Sequence, residues 1–178
     1  HKDHILFFRL GDFYEMFFDD AILASRELEL TLTGRDCGLE ERAPMCGVPY
    51  HAAEVYIARL IKKGYKVAIC EQMEDPALAK GIVKRSVIRV VTPGTLIESN
   101  MLTEDSNNYI SCIYCGAEGF ALCSADISTG ELFTSQFLPS QFHELLNELG
   151  RYAPSEVIFN DAALDYRELK EFLKVRLH

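Results

Sequence analysis

The chain has 178 residues, of which 48% are hydrophobic and 25% are charged, and its formal net charge is −9. This composition is typical of a globular protein with a buried core, and it excludes an intrinsically disordered chain. No apolar stretch approaches the about 18 residues of a membrane span, and no signal-peptide cleavage pattern follows the first apolar run, so we expect a cytoplasmic protein with no membrane partner.

The charge is unevenly distributed along the chain. Residues 1–93 contain 13 Lys/Arg and 14 Asp/Glu, whereas residues 94–178 contain 5 and 13. Only the first part can face phosphates without strong repulsion. The change in composition near Pro93, followed by a polar stretch, predicts a first domain at 1–95, a linker at 96–108 and a second domain at 109–178.

The first domain alternates between strand-like and helix-like apolar periods. Its predicted elements are strands at 5–10 and 13–18 around a tight corner, a helix capped by Asp19 and Asp20, a strand at 28–32, a loop at 34–43, a helix at 52–63, and strands at 65–69 and 86–91 flanking a helical turn that begins at Pro76. This order predicts an α+β mixed sheet with helices packed on it, within the α/β class.

The second domain begins with three closely spaced strand patterns. They lie at 109–115, 119–126 and 131–137, and are followed by a helix from Pro139, a strand at 157–159 and a helix from Asp165. This order predicts a ribonuclease-H-like α/β fold, and we expect the chain to end before such a fold is complete.

Cys112 and Cys115 form a C-x-x-C motif. A zinc ribbon needs a second pair at suitable spacing, and a thioredoxin-like redox motif lies where a strand meets a helix. Neither condition is met, because the motif lies within a predicted strand. Free cysteines are commonly buried, so buried thiols are predicted here, with no metal site.

Phe13 and Glu15 lie two residues apart in the second predicted strand. Alternation along a strand places both side chains on one face and Tyr14 on the other. On residue type alone, a core Phe13 and a solvated Glu15 are the favoured interpretation, because apolar strand residues are mostly buried.

Four sequence blocks change that interpretation. Residues 8–21 (FRLGDFYEMFFDDA), 44–52 (PMCGVPYHA), 67–72 (VAICEQ) and 89–95 (RVVTPGT) resemble, in this order, the mismatch-recognition domain of the MutS family of DNA-repair proteins. The remainder resembles the connector domain that follows in that family, more loosely and cut short.

The resemblance implies specific roles for individual residues. It places the family's wedge phenylalanine at Phe13 and its base-contacting glutamate at Glu15. An apolar wedge in the minor groove unstacks a base step at a cost of about a few kcal/mol, and a mispaired step is already poorly stacked. Phosphates repel a carboxylate, so we expect Glu15 to take up a proton in the complex and donate a hydrogen bond to a base.

Other residues are predicted to support these contacts. The loops and helix ends of the first domain offer Arg35, Met45, Val48 and His51 for contacts to DNA, while Tyr14 is assigned to packing. The basic run of Lys80, Lys84, Arg85 and Arg89 fits phosphate contacts, above all by Lys84 and Arg85, as well as it fits a solvated face.

The resemblance also implies partners beyond this chain. Mismatched duplex DNA is the expected ligand, and the family implies a homodimer and a MutL partner bound through the connector domain. The sequence contains no P-loop motif, so we expect neither enzymatic activity nor a cofactor in this chain, with ATP and Mg²⁺ used only by the full-length protein.

The alternative function is a metal-dependent nuclease. It would use carboxylates of the second domain such as Asp126, Glu131 and Asp161, which would have to converge around ions about 4 Å apart. The sequence shows no group of further carboxylates that clearly converges with Asp126.

Overall fold

The computed structural model describes residues 3–38, 40–74, 81–97, 102 and 106–176. The chain divides into two compact units, His1–Thr92 and Pro93–His178. Residues 93–95, predicted as the end of the first domain, pack with the second unit, where the Gly94 N–H donates to Glu156 Oε2 at 3.2 Å. In the described ranges no helix has the length and apolar character required to cross a membrane.

The first unit is a six-stranded mixed sheet with two helices. Its elements are β1 (Ile5–Leu10), β2 (Phe13–Phe17), α1 (Phe18–Leu28), β3 (Thr33–Arg35), β4 (Ala43–Pro49), α2 (Ala53–Lys62), β5 (Val67–Gln72) and β6 (Arg85–Val91). The strand order is β3-β4-β2-β1-β5-β6. Strands β1 and β5 are parallel and the other neighbours are antiparallel, which confirms the predicted mixed sheet.

The core of the first unit lies on one face of this sheet. Phe7, Met16 and Val48 are fully buried there, as are Ala21 and Ala24 of α1. Because these alanines are small, they allow α1 to approach the sheet closely. Together with Leu28 they form the inward face of this helix.

The cap of α1 and the segment that follows this helix differ from the prediction. Phe17 precedes the helix and makes no side-chain cap, and Asp20 Oδ2 instead accepts a hydrogen bond from the Leu6 N–H at 2.9 Å. The strand predicted at 28–32 is wrong, because Leu28 still belongs to the helix and Glu29 ends it in the left-handed conformation. Leu28 fits the apolar spacing of both a strand and a helix. In the structure it is buried on the inward face of the helix, so it belongs to α1.

Strand β4 was not predicted. It contains Pro44, Gly47 and Pro49, residue types that are rare in strands. It nevertheless lies between β2 and β3 and is hydrogen-bonded to both. The helical turn predicted at Pro76 lies outside the described residues.

The second unit is a four-stranded sheet with two helices on one face. Its elements are β7 (Tyr109–Gly116), β8 (Gly119–Asp126), β9 (Glu131–Phe137), α3 (Phe142–Tyr152), β10 (Glu156–Phe159) and α4 (Arg167–Arg176). The strand order is β10-β7-β8-β9, with β10 parallel to β7. The predicted order of elements is confirmed, and both units belong to the α/β class.

The core of the second unit forms between its sheet and its helices. Ile113 and Leu122 face Leu145 and Leu149 of α3 and Leu169 of α4. The opposite face of the sheet carries Cys112 and Tyr114, which are exposed.

Candidate nucleic-acid interface

Strand β2 presents Phe13 and Glu15 on the same face of the first sheet. Tyr14 and Met16 point to the other face and are buried, whereas the Phe13 side chain is 46% exposed. Across β4, Phe13 is opposite Pro49 and Glu15 is opposite Gly47. The shared face expected from strand alternation is therefore present, and Phe13 is not a core residue.

A tight turn holds Phe13 at the end of the β1–β2 hairpin. Gly11 adopts φ +57°, a conformation that glycine reaches without a side-chain clash. The Tyr50 N–H donates to the Asp12 carbonyl at 2.9 Å, which ties the turn to the end of β4. The aromatic ring therefore projects from an anchored corner of the sheet.

Glu15 lies beside a strand position that has no side chain. A Cβ at Gly47 would be 3.4 Å from Glu15 Cγ and 3.2 Å from the Tyr14 carbonyl oxygen. Glycine at this position leaves room for the carboxylate over the sheet. Arg35 Nη1 is 2.5 Å from Glu15 Oε2, so the carboxylate is paired with a half-exposed guanidinium.

A polar network supports the back of β2. The Tyr14 hydroxyl donates a short hydrogen bond to Glu71, and Arg9 Nη1 lies 3.6 Å from Glu71 Oε1. Burial, aided by the bond to Glu71 and its charge, raises the pKa of Tyr14 to about 12. The packing role predicted for Tyr14 thus includes a partly buried hydrogen bond.

Sequence reasoning missed Arg9 and Glu71. The Arg9 guanidinium stacks 3.8 Å from the centre of the Tyr50 ring. Glu71 reaches Arg9 because β1 and β5 are parallel neighbours, with Phe8 opposite Cys70. No local pattern reveals a pairing between strands so distant in sequence.

The other three residues predicted to support DNA binding differ in their exposure. Met45 is half-buried opposite Phe17, on the same face as Glu15. His51 is exposed in the turn before α2, with its ring edge-on to Tyr50. Val48 is 0% exposed, and its side chain points into the core.

The described members of the basic run do not form a single exposed patch. Lys84 is exposed, whereas Arg85 donates to the carbonyls of Arg9 and Val83, each at 2.9 Å, and stacks over the Phe8 ring. Arg85 therefore joins β6 to β1. Lys80 lies outside the described residues.

The three carboxylates of the nuclease alternative do not converge on one point. Asp126 and Glu131 face each other at one end of the β8–β9 pair. Asp161 follows β10, which runs parallel to β7. Asp161 therefore lies at the other end of the sheet, next to Asn160, whose side chain accepts a hydrogen bond from the Cys115 N–H. Among the residues that the structure describes, no group of three or more His, Cys, Asp or Glu side chains can hold a metal ion.

Asp126 has a structural role in the turn that follows β8. Its carboxylate is 1% exposed and accepts hydrogen bonds from the Asn108 N–H at 3.0 Å and from the Ser128 N–H and hydroxyl at 2.9 and 2.6 Å. Burial raises the pKa of Asp126, but the hydrogen bonds from Ser128, Asn108 and Thr129 outweigh it and hold the pKa below its ordinary value.

The two cysteines of the C-x-x-C motif lie on opposite faces of β7. Cys115 is buried in the core, as predicted, but Cys112 is exposed. Strand alternation separates residues three apart. The prediction of a buried thiol is therefore wrong for Cys112.

Comparison with known proteins accounts for both units. Residues 1–100 match the family model described as MutS domain I, and residues 108–177 match the model described as MutS domain II. The exposed Phe13–Glu15 face lies within the first match, and the four-stranded sheet lies within the second. The chain thus consists of two domain types of one family.

Curated relatives named DNA mismatch repair protein MutS agree with this assignment. The protein from Ruminiclostridium cellulolyticum is 60% identical over 179 residues, covering 100% of this chain and 20% of that protein. Those from Acetivibrio thermocellus and Caldicellulosiruptor bescii are 58% and 60% identical, with 99% and 97% of this chain covered. The chain belongs to the MutS family, and it spans about a fifth of the length of these relatives.

Proposed function

We propose that this chain is the mismatch-sensing part of a longer DNA mismatch-repair protein. It binds duplex DNA at mispaired or unpaired bases and inserts Phe13 into the base stack, with Glu15 against the displaced base. The observation that carries the proposal is the exposed Phe13 beside Glu15 on one face of a sheet, at the positions where the family resemblance implies the wedge and the base contact.

The proposed selectivity comes from the cost of deforming DNA. Inserting an aromatic ring between base pairs unstacks a step at about a few kcal/mol. A mispaired step is already poorly stacked, so this cost is lower there and mismatched duplexes bind more tightly. The anchored turn between Gly11 and Phe13 supports this role, because a wedge on a mobile loop would lose ordering entropy on insertion.

Arg35 balances the charge of Glu15 before DNA binds. In the free chain its guanidinium pairs with Glu15 at 2.5 Å and offsets the negative charge that phosphates would repel. In the complex, Glu15 takes up a proton and donates a hydrogen bond to a base, while Arg35 turns to a phosphate, which the guanidinium geometry suits well.

The remaining activities of the family are proposed for the rest of the longer protein. The chain spans about a fifth of its relatives, and its sequence contains no P-loop motif. We therefore assign ATP and Mg²⁺ binding and homodimer formation to the full-length protein. Docking of a MutL-type partner is proposed for the second unit, and no catalysis is proposed for this chain.

The test is DNA binding by the complete protein with Phe13→Ala. Affinities for a G·T mismatch and for the matched duplex are measured at one salt concentration. We expect the variant to lose its preference for the mismatch. Phe18→Ala is the matched control, because Phe18 is 52% exposed and lies in the same unit. Retained discrimination in Phe13→Ala would overturn the proposal.

A further inference from the structure

Cys112 and Cys123 are directly opposite each other in the antiparallel pair β7–β8. Side chains opposite each other on antiparallel strands have Cβ atoms about 4.5–5.5 Å apart, and their Cα atoms are about as far apart as in a disulfide. The next pair of the ladder, Ser111 and Ser124, has its hydroxyl oxygens 2.7 Å apart on the other face. The two strands are thus close enough for their side chains to meet.

Both thiols belong to the face of the sheet that carries no helix in this unit. Cys112 is exposed and Cys123 is half-buried. They line an open groove of about 650 Å³ together with Thr134 and Gln136 of β9. A small molecule in solution can therefore reach Cys112.

The other cysteines lack this arrangement. Cys46, Cys70 and Cys115 are buried, and burial raises the pKa of each thiol, in Cys46 to about 11. Few of these thiols are deprotonated near neutral pH, and thiolates are the reactive form. Cys37 is exposed but lies in the first unit, without a cysteine opposite it.

We propose that Cys112 and Cys123 form a dithiol modification site, which small-molecule disulfides such as oxidised glutathione convert into an intramolecular cross-strand disulfide. The Cys112 thiolate attacks one sulfur of glutathione disulfide, forms a mixed disulfide and releases one glutathione thiolate. The Cys123 thiolate then attacks the Cys112 sulfur and releases the second glutathione thiolate. Two protein thiols are oxidised, one glutathione disulfide is reduced to two thiols, and the two protons pass to the released glutathione.

The site differs from the one that the sequence motif suggests. The motif pairs Cys112 with Cys115, whose side chains lie on opposite faces of one strand. The ladder pairs Cys112 with Cys123 instead, and the bond closes a short loop around the β7–β8 turn. Because this loop is closed in the unfolded chain as well, the oxidised protein has a higher Tm than the reduced one.

The experiment uses the 178-residue chain incubated with oxidised glutathione, denatured and alkylated. Of the six cysteines, we expect Cys112 and Cys123 to become protected from alkylation without an attached glutathione. Cleavage after Glu118 separates Cys112 from Cys123, and cleavage after Tyr114 separates Cys112 from Cys115, so mass spectrometry of the digest identifies the pair. Dithiothreitol should return both thiols and the lower Tm.

Variants distinguish the proposed pair from other products. Cys123→Ser should leave Cys112 as a stable mixed disulfide with glutathione, and Cys37→Ser should form the cross-link as the wild type does. Circular dichroism checks that each variant folds, with Cys123→Ala as the second variant. A Cys112–Cys115 bond, a disulfide between two chains, or only mixed disulfides in the wild-type protein would each overturn the proposal.

Discussion

Arg35 Nη1 lies 2.5 Å from Glu15 Oε2, so an ion pair joins β3 to β2 across the intervening strand β4. The Arg35 side chain is 46% exposed and that of Glu15 is 17% exposed. The pair is therefore within reach of a ligand on this face. Any ligand that contacts Glu15 also meets the guanidinium that neutralises it.

Replacement of Arg35 tests its proposed contact with phosphate. We expect Arg35→Gln in the complete protein to weaken binding to matched and mismatched duplexes to a similar extent, because phosphate contacts carry no sequence information. The slope of log K against log salt should become shallower by the amount expected for the loss of about one phosphate contact. Arg42→Gln, an exposed arginine of the same unit, is the control. An unchanged salt slope would contradict the phosphate contact.

Replacement of Glu15 tests the protonated-donor proposal. Glu15→Gln keeps a hydrogen-bond donor and removes the repulsion from phosphates, so we expect it to bind matched and mismatched DNA at least as tightly as wild type. Affinities are measured for both duplexes at the same salt concentration. Weaker binding of Glu15→Gln to both duplexes would rule out the protonated donor.

Gly47→Ala tests whether the space beside Glu15 matters. The added methyl would lie 3.2 Å from the Tyr14 carbonyl oxygen, so the backbone of β2 must shift by a few tenths of an ångström, and it would touch Glu15 Cγ at 3.4 Å. Overpacking of this kind costs about 1–3 kcal/mol of unfolding free energy. We expect a lower Tm and weaker mismatch discrimination.

The control for this substitution is Gly150→Ala in α3. Its new methyl would make an ordinary contact at 3.5 Å with the Phe172 ring. We expect this variant to be neutral or to gain about 0.5–1 kcal/mol, as Gly→Ala does within helices. Equal Tm values for Gly47→Ala and wild type would show that the sheet accommodates the methyl group.

Tyr14→Phe tests the hydrogen bond behind β2. The pKa of Tyr14 is raised from 10.0 to about 12, so the folded state holds the hydroxyl proton more tightly than the unfolded state. The stability that this proton contributes is fully present below the Tyr14 pKa of the unfolded state, 10.0, and is lost as pH rises through the folded-state pKa of about 12. We expect the wild type to be more stable than Tyr14→Phe by about 1–2 kcal/mol near neutral pH, and the difference to shrink in alkali.

Denaturant unfolding at about pH 8 and about pH 11 measures this difference. Tyr56→Phe serves as the control, because Tyr56 is a half-buried tyrosine in α2 of the same unit. A stability difference between wild type and Tyr14→Phe that does not change with pH would contradict the assigned role of the Tyr14 hydroxyl.

Asp126→Asn separates the structural role of this carboxylate from the nuclease alternative. The folded pKa of Asp126 is lowered, so its contribution to stability is present above the ordinary pKa of 3.8 and is lost as pH falls through the folded value. We expect the variant to have a lower Tm and a free energy of unfolding lower by about 1–3 kcal/mol at neutral pH, and to lose less stability on acidification. Calorimetry against pH, with Asp161→Asn as control, measures this change. Mg²⁺-dependent cleavage of a labelled duplex by wild type but not by Asp126→Asn would revive the nuclease.

The pattern of strands and helices in the second unit was predictable from the sequence, because its apolar residues alternate cleanly and glycine-containing turns separate them. The first unit was harder to predict. Leu28 fits both a strand period and a helix period. Strand β4 contains Pro44 and Pro49, which conceal a strand that pairs with a neighbour on each side. Val48 was predicted to support DNA binding because it lies in one of the sequence blocks. Alternation along β4, which was not predicted, places its side chain in the core.

The sequence by itself determined the α/β class, the charge difference between the two parts and the shared face of Phe13 and Glu15, because composition and strand alternation are local properties. Only the tertiary structure decided that Arg35 pairs with Glu15, that Glu71 supports Tyr14 and that Cys112 faces Cys123 rather than Cys115. These contacts depend on which strands become neighbours and in what register. Strand pairing between distant segments is set by the packing of the whole core, which no local pattern encodes.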